Sequence, residues 1–296
     1  ICRQLRELLM TDMRGQVDFG NRLALIAGIL PTLLGLVVLT GWYTHNTTLI
    51  QVSPTFVPMQ YNTALGFLLS GIGLVSAATT PSDRKAWIAR YVGATTAVLG
   101  LLTLIEYIAG VDLQIDQLFM EHYVTVETSN PGRMAPNTAL CFSLTGIALL
   151  FANPLASQKS RIYLTAVLGS ITFGLGVIAF AGYAMNLETA YGWGHLTRMA
   201  VHTAAGFIVL GLGLVQRAWH LELQASREMP DWLSWAIGIG VLAFTLSLWQ
   251  ALGSESAVDI AEIFVLVFGI VLSLALGFMV RVAGVARRRA LRAEAV

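Results

Sequence analysis

Three methionines, Met59, Met134 and Met199, each stand three residues before a side chain able to hold a ligand: Asn62, Asn137 and His202. Thioethers and an imidazole are donors for soft or borderline metals, and a carboxamide offers both a donor and an acceptor. If the three segments converge, the set suits a soft metal, a haem or a small molecule. The same residues have a plainer use. Asn near a helix start satisfies orphan N–H groups, and Met fills gaps in a core. His202 departs from its siblings by placing a titratable group where they carry Asn.

Glu106 lies inside an apolar run, where an ionisable side chain is a functional candidate with a partner to be found. The partner expected is Arg133, Arg198 or His202, and the pair would either carry a proton-linked signal or hold a structural ion pair. Arg133 and Arg198 immediately precede Met134 and Met199. There they would favour an anion at a helix N-terminus or lie against lipid headgroups. His45, His122 and His195 fall between apolar runs. A haem held between membrane helices usually takes two axial ligands, so His122 or His195 would have to join His202. His195 and His202 are seven residues apart, two turns on one straight helix, and cannot pinch one iron from there. His220 is expected on the opposite, solvated side. Cys2 and Cys141 form no pattern, and no Walker A, HExxH, GxSxG, kinase or cyclase signature is present. No catalytic residue is expected.

The elements that carry these residues repeat. MQYNTALGFLLSGIGL begins at Met59, MAPNTALCFSLTGIAL at Met134 and MAVHTAAGFIVLGLGL at Met199. Their common pattern is M-x-x-[NH]-T-A-x-x-F-x-x-x-G-[IL]-[AG]-L, and the positions after the Met lie along one helical face. Phe67, Phe142 and Phe207 are expected to fill space on that face, and Gly71, Gly146 and Gly211 to let a neighbouring helix approach. A second set, TGWY (40–43), IEYI (105–108) and AGYA (181–184), ends the preceding helices. Residues 23–218 therefore read as three tandem two-helix units, followed by a final pair over 219–283 and the start of a cytoplasmic helix over 284–296.

These helices belong in a bilayer. The chain has 296 residues, 56% hydrophobic and 12% charged, about half the charge of soluble domains. Spans are expected at 23–43, 61–80, 88–109, 135–153, 162–185, 199–218, 232–252 and 259–283, an all-α polytopic bundle of about eight helices. Sixteen of the eighteen basic residues fall in 1–22, in the short connectors or at the C-terminal exit, leaving Arg133 and Arg198 on the other side. Both termini are then cytoplasmic and the loops 44–60, 110–134 and 186–198 face outward. The outward loops carry Asp112, Asp116, Glu121, Glu127 and Glu188. Residues 1–22 lack the apolar core of a signal peptide. The chain opens on Ile1, and its last residues read as a helix with no stop signal, so a longer polypeptide is expected. Nothing points to nucleic acid.

GRMAPNTALCF (132–142), preceded by VDLQIDQLF (111–119), and YGWGHLTRMAVHTAAGF (191–207) resemble the multi-pass N-terminal input region of bacterial sensor histidine kinases and diguanylate cyclases. The triplicated helix pair also resembles MHYT sensor domains, from whose pattern only Met199 and His202 keep a Met/His pair. The resemblance spans roughly 23–283. It implies a homodimeric sensory input domain in a bacterial inner membrane, with a kinase or cyclase effector later in the same polypeptide. The extracytoplasmic domain that some relatives insert between the last two spans is replaced by a tight turn, GSESAVD (253–259). The competing expectations are a haem- or quinone-binding redox subunit and, less favoured for want of broken helices at mid-membrane, a small-solute transporter.

Overall fold

The computed structural model describes residues 2–79, 83–124, 126, 129–152, 159–226, 230–253 and 260–294. Among these residues the chain forms α1 (Cys2–Thr44), the single turn α2 (Thr47–Ile50), α3 (Tyr61–Ala78), α4 (Asp83–Ala109), α5 (Pro136–Phe151), α6 (Lys159–Met185), the single turn α7 (Glu188–Tyr191), α8 (Val201–Ser226), α9 (Leu233–Leu252) and α10 (Ile260–Glu294), with no strand. Seven of these helices are long and apolar enough to cross a bilayer. The remaining long helix, α5, is apolar but has only 16 residues, about 24 Å of rise. The chain is a multi-pass, all-α membrane bundle. The turn expected after Gly253, Glu127 and Arg227 lie outside the described residues.

Two boundaries differ from expectation. Residues 2–22 continue helically into the first span rather than forming a separate segment. α8 runs to Ser226 instead of stopping near 218, with Ala218 and Leu221 packed in a cluster with Ile162 and Trp232. His220 is therefore not solvated. It is 6% exposed and its Nε2 lies 3.0 Å from the amide nitrogen of Gln224. Arg217, one turn earlier, is also buried and donates to the carbonyl of Ala152.

The helices pack most extensively as α1 with α3, α4 with α5, α6 with α8, and α9 with α10. Within each of the first three pairs the motif glycine sits against its partner's backbone. A Cβ on Gly71 would stand 2.6 Å from the Gly28 carbonyl, one on Gly146 2.5 Å from the Gly93 carbonyl, and one on Gly211 2.7 Å from the Gly169 carbonyl. Small residues at these positions let the backbones meet, which is how helices associate where lipid gives no hydrophobic drive.

Between the pairs, α3, α5 and α8 meet at a common centre. Phe67, Phe142 and Phe207 are fully buried and contact one another, with ring centroids 5.1, 4.8 and 4.8 Å apart. Edge-on and tilted packing of this kind suits the ring quadrupoles. Small residues make room for the rings: a Cβ on Gly66 would stand 2.6 Å from the Phe142 ring, and one on Gly206 2.6 Å from the Phe67 ring. A lower layer repeats the arrangement, with Gly73 against Leu149 and Gly213 against Leu74. The second pair thus lodges bulky side chains in gaps left by the first, and the first in gaps left by the third. α9 packs on α6 and α7 outside this core, and α10 packs on α9. Phe264, Phe268, Leu274 and Phe278 of α10 are exposed, as suits a lipid-facing helix.

Candidate functional site at the loop end

Loops 44–60, 110–134 and 186–198 lie at the end of the bundle where the motif helices begin. Each of the first three pairs forms a mouth there from corresponding parts. The chain leaves α1, α4 and α6 through a left-handed residue: His45 (φ 53°), Gly110 (φ 65°) and Asn186 (φ 54°). One aromatic donor on the outgoing helix then caps the carbonyl of each motif methionine. Trp42 Nε1 donates to Met59 at 2.9 Å, Tyr107 Oη to Met134 at 3.0 Å and Tyr183 Oη to Met199 at 2.7 Å.

The residues one turn into the motif helices link each mouth to the next. Asn62 Nδ2 donates to the carbonyl of Ile115 at 2.9 Å, and Asn137 Nδ2 to the carbonyl of Tyr191 at 3.2 Å. His202 faces the carbonyl of Ile50, although neither ring nitrogen makes a well-formed hydrogen bond and both are shielded from solvent. The links run first pair to second, second to third and third to first, closing a ring. Capping is not the task of Asn62: Gln60 stands at the N-cap of α3, and no side chain caps that end. Met59, Met134 and Met199 are buried within one hydrophobic core.

The middle mouth differs from the other two. In the first and third, a glycine on the outgoing helix lets the single-turn helix fold down. A Cβ on Gly41 would stand 2.7 Å from Leu49 Cβ, and one on Gly182 2.6 Å from Ala190 Cβ. The corresponding residue of the middle pair is Glu106, fully buried, and among the described residues no helical turn covers it. Its Oε1 accepts from the Leu113 N–H at 2.8 Å and lies 3.3 Å from an Arg133 nitrogen. Arg133 Nε donates to Asp116 Oδ2 at 2.7 Å, its terminal nitrogen lies 3.7 Å from Asp112 Oδ1, and its guanidinium sits 5.4 Å over the Tyr107 ring. These groups line a cavity of about 530 Å³ that Gln114, Asn130 and Leu196 help to enclose.

Arg133 is thus the partner of Glu106, among the three expected. Three carboxylates surround it, so this mouth is acidic rather than an anion site. Burial disfavours its charge, but the hydrogen bond and charge of Asp116, with the charge of Glu106, outweigh burial and hold the guanidinium protonated above its ordinary range. Burial pushes the Asp116 carboxyl up, against the pull of Arg133. Arg198, in the third mouth, pairs with Glu188 at 2.7 Å in a more exposed setting.

The histidines are not gathered. His195 is exposed. The His122 ring lies 5.7 Å from Trp42, and burial lowers its pKa. His45 stacks on Tyr123 at 4.6 Å. Among the described residues, one group of three His, Cys, Asp or Glu side chains can reach a common ion, and it consists of Glu106, Asp112 and Asp116. That donor set is all oxygen, which suits a hard cation and not a haem iron or a soft metal.

Asp112 and Asp116 entered the sequence reading only as loop charges. The signal that singles them out is the pairing of a sibling-breaking Glu106 with the longest of the three loops. Compared with known proteins, the chain matches no family model, no curated protein and no solved structure.

Proposed function

We propose that this bundle is a membrane-embedded sensory input domain whose middle mouth receives the signal. The observation that carries the reading is the asymmetry of the loop end: of three mouths built alike, one exchanges a packed glycine for a buried Glu106 and opens a charged cavity of about 530 Å³. An ionisable residue buried in one copy where its two siblings carry glycine is a functional candidate.

A connected set of contacts supports transmission from that mouth. Arg133 stands just before α5, whose Asn137 bonds to Tyr191 of α7. Thr189 of α7 donates to the Ala251 carbonyl of α9 at 2.6 Å, and Ser273 of α10 donates to the Gly238 carbonyl of α9 at 2.5 Å. α10 has 35 residues, and its apolar stretch, Glu262–Arg287, takes 26 of them, so the helix runs on over 288–294 past that stretch. In this reading the loop end faces the extracytoplasmic side of a bacterial inner membrane, both termini are cytoplasmic, and α5 counts as a crossing. α10 of a homodimer then leads into a histidine kinase or diguanylate cyclase effector of the same polypeptide. The ligand acts through a difference in its affinity for two states of the bundle.

The test is the output of the full-length gene product in proteoliposomes, read as autophosphorylation or cyclic dinucleotide synthesis. Arg133→Met, Thr189→Val and His202→Ala are expected to abolish its response to the stimulus while the effector keeps its basal rate. An unchanged response in all three would sink the reading, and a haem absorption band in the purified protein would favour the redox alternative.

A further inference from the structure

We infer that the middle mouth binds one hard divalent cation of the calcium class through Glu106, Asp112 and Asp116. The inference names a ligand class for the cavity used by the sensory reading, and it rests on that reading only for its consequence, since binding can be measured without any output.

Three observations carry it. One oxygen from each carboxylate lies within 4.8 Å of the others. Ca²⁺ holds oxygen at 2.3–2.6 Å, so opposite ligands stand up to about 5 Å apart. Second, the oxygens that Arg133 leaves over are unsatisfied. Glu106 Oε2 and Asp116 Oδ1 are buried without a hydrogen-bond partner of good geometry, on side chains 0% and 8% exposed. One oxygen of each of these two carboxyls lies within 4.8 Å of the other, and two ionised carboxylates held this close repel unless a proton or a cation lies between them.

The third observation is the charge balance. Three carboxylates face one guanidinium, leaving two negative charges uncompensated. A divalent cation neutralises the whole group; a single proton neutralises only the buried excess of Glu106 and Asp116 over Arg133 and leaves the charge of Asp112 to solvent. Access is provided as well: Asp112 is 73% exposed on its side chain, so the third ligand sits at the cavity entrance. The carboxamides of Gln114 and Asn130 border the same cavity. They and water can complete the six to eight oxygens that Ca²⁺ takes. Arg133 then becomes a positioning residue, holding Glu106 through Oε1 and Asp116 through Oδ2.

The experiment is equilibrium binding of ⁴⁵Ca²⁺ to the purified full chain in nanodiscs, with Tb³⁺ luminescence sensitised through Tyr107 as a second readout. One ion per chain is expected. Glu106→Gln and Asp116→Asn should weaken binding by at least about tenfold. Asp112→Asn, at an exposed position that folding tolerates, should weaken it by a smaller factor, while Glu188→Gln in the third mouth should leave it unchanged. Absence of binding in the wild-type chain, with only proton uptake on acidification, would overturn the proposal and make the pair a proton site. Binding that survives Asp112→Asn and Glu106→Gln unaltered would overturn the assignment of ligands.

Discussion

The first and third mouths are closed by packing, and the middle one is held open by charge. At Gly41 and Gly182 a short helical turn lies directly on the outgoing helix. At Glu106 the same space takes a carboxylate, and the loop above it carries the aspartates that share Arg133. Below that level the three pairs behave alike, with the same aromatic cap on each methionine carbonyl and the same meeting of phenylalanines. The difference shows where a repeated scaffold departs from its own pattern. The inner layers keep what all three copies need, and one mouth gives up packing for a buried charge cluster.

The comparison can be broken most severely at Arg133. Arg133→Met leaves Glu106 and Asp116 buried without their cation, and breaking a buried pair in this way costs about 3–5 kcal/mol. A steric trap or denaturant titration in bicelles would read that loss. Adding Glu106→Gln to Arg133→Met should recover part of it, which a role in packing alone would not produce.

A next-largest effect tests the sameness of the inner layer. Phe67→Ala, Phe142→Ala and Phe207→Ala should each destabilise by about 3 kcal/mol from the cavity they leave. The three values should agree within about 1 kcal/mol, since each ring meets the other two. A spread much wider than that would mean that the pairs are not energetically equivalent.

His202→Asn makes the third pair like its siblings. The carboxamide can donate to the Ile50 carbonyl as Asn62 does to Ile115 and Asn137 to Tyr191, so stability should change by no more than about 1 kcal/mol. A loss of stability as large as that of the Phe variants would show that His202 holds the bundle together in a way the asparagines do not.

The smallest effect concerns pH in the loop that crosses from the middle mouth to the first. Burial lowers the His122 pKa below the ordinary histidine value of 6.5. The unfolded loop therefore takes up a proton at a pH where the folded one does not, and stability falls as pH drops through 6.5 toward the depressed folded value. His122→Gln should remove that dependence. The change is legible in the Trp42 emission, taken as the difference from Trp42→Phe, because the His122 ring lies 5.7 Å from the indole.

Much of this was legible from the residues. Seven of the eight expected spans follow from apolar length, α5 at 16 residues being the short one, and the motif offsets placed Phe and Gly on the faces where they pack. Glu106 stood out because an ionisable group had replaced a glycine of its siblings. What the sequence leaves open is direction. Nothing in Asn62 or Asn137 says that each reaches across to the following pair's loop, because that bond goes to a backbone carbonyl, which has no sequence identity. Helix spacing likewise shows that Arg133 stands just before a helix, but not that loop 110–134 folds back to put two aspartates around it. The burial of His220 follows from the extra length of α8, whose polar residues read as a solvated connector.

The central claim is that the middle mouth alone is a binding site. Hydrogen–deuterium exchange of the full chain, with CaCl₂ and with chelator, tests it most directly. The account predicts the largest added protection in 106–117 and 130–137, a smaller change at 188–191 on the route to α9, and none at 41–50. Equal protection at all three mouths, or none at the middle one, would contradict it.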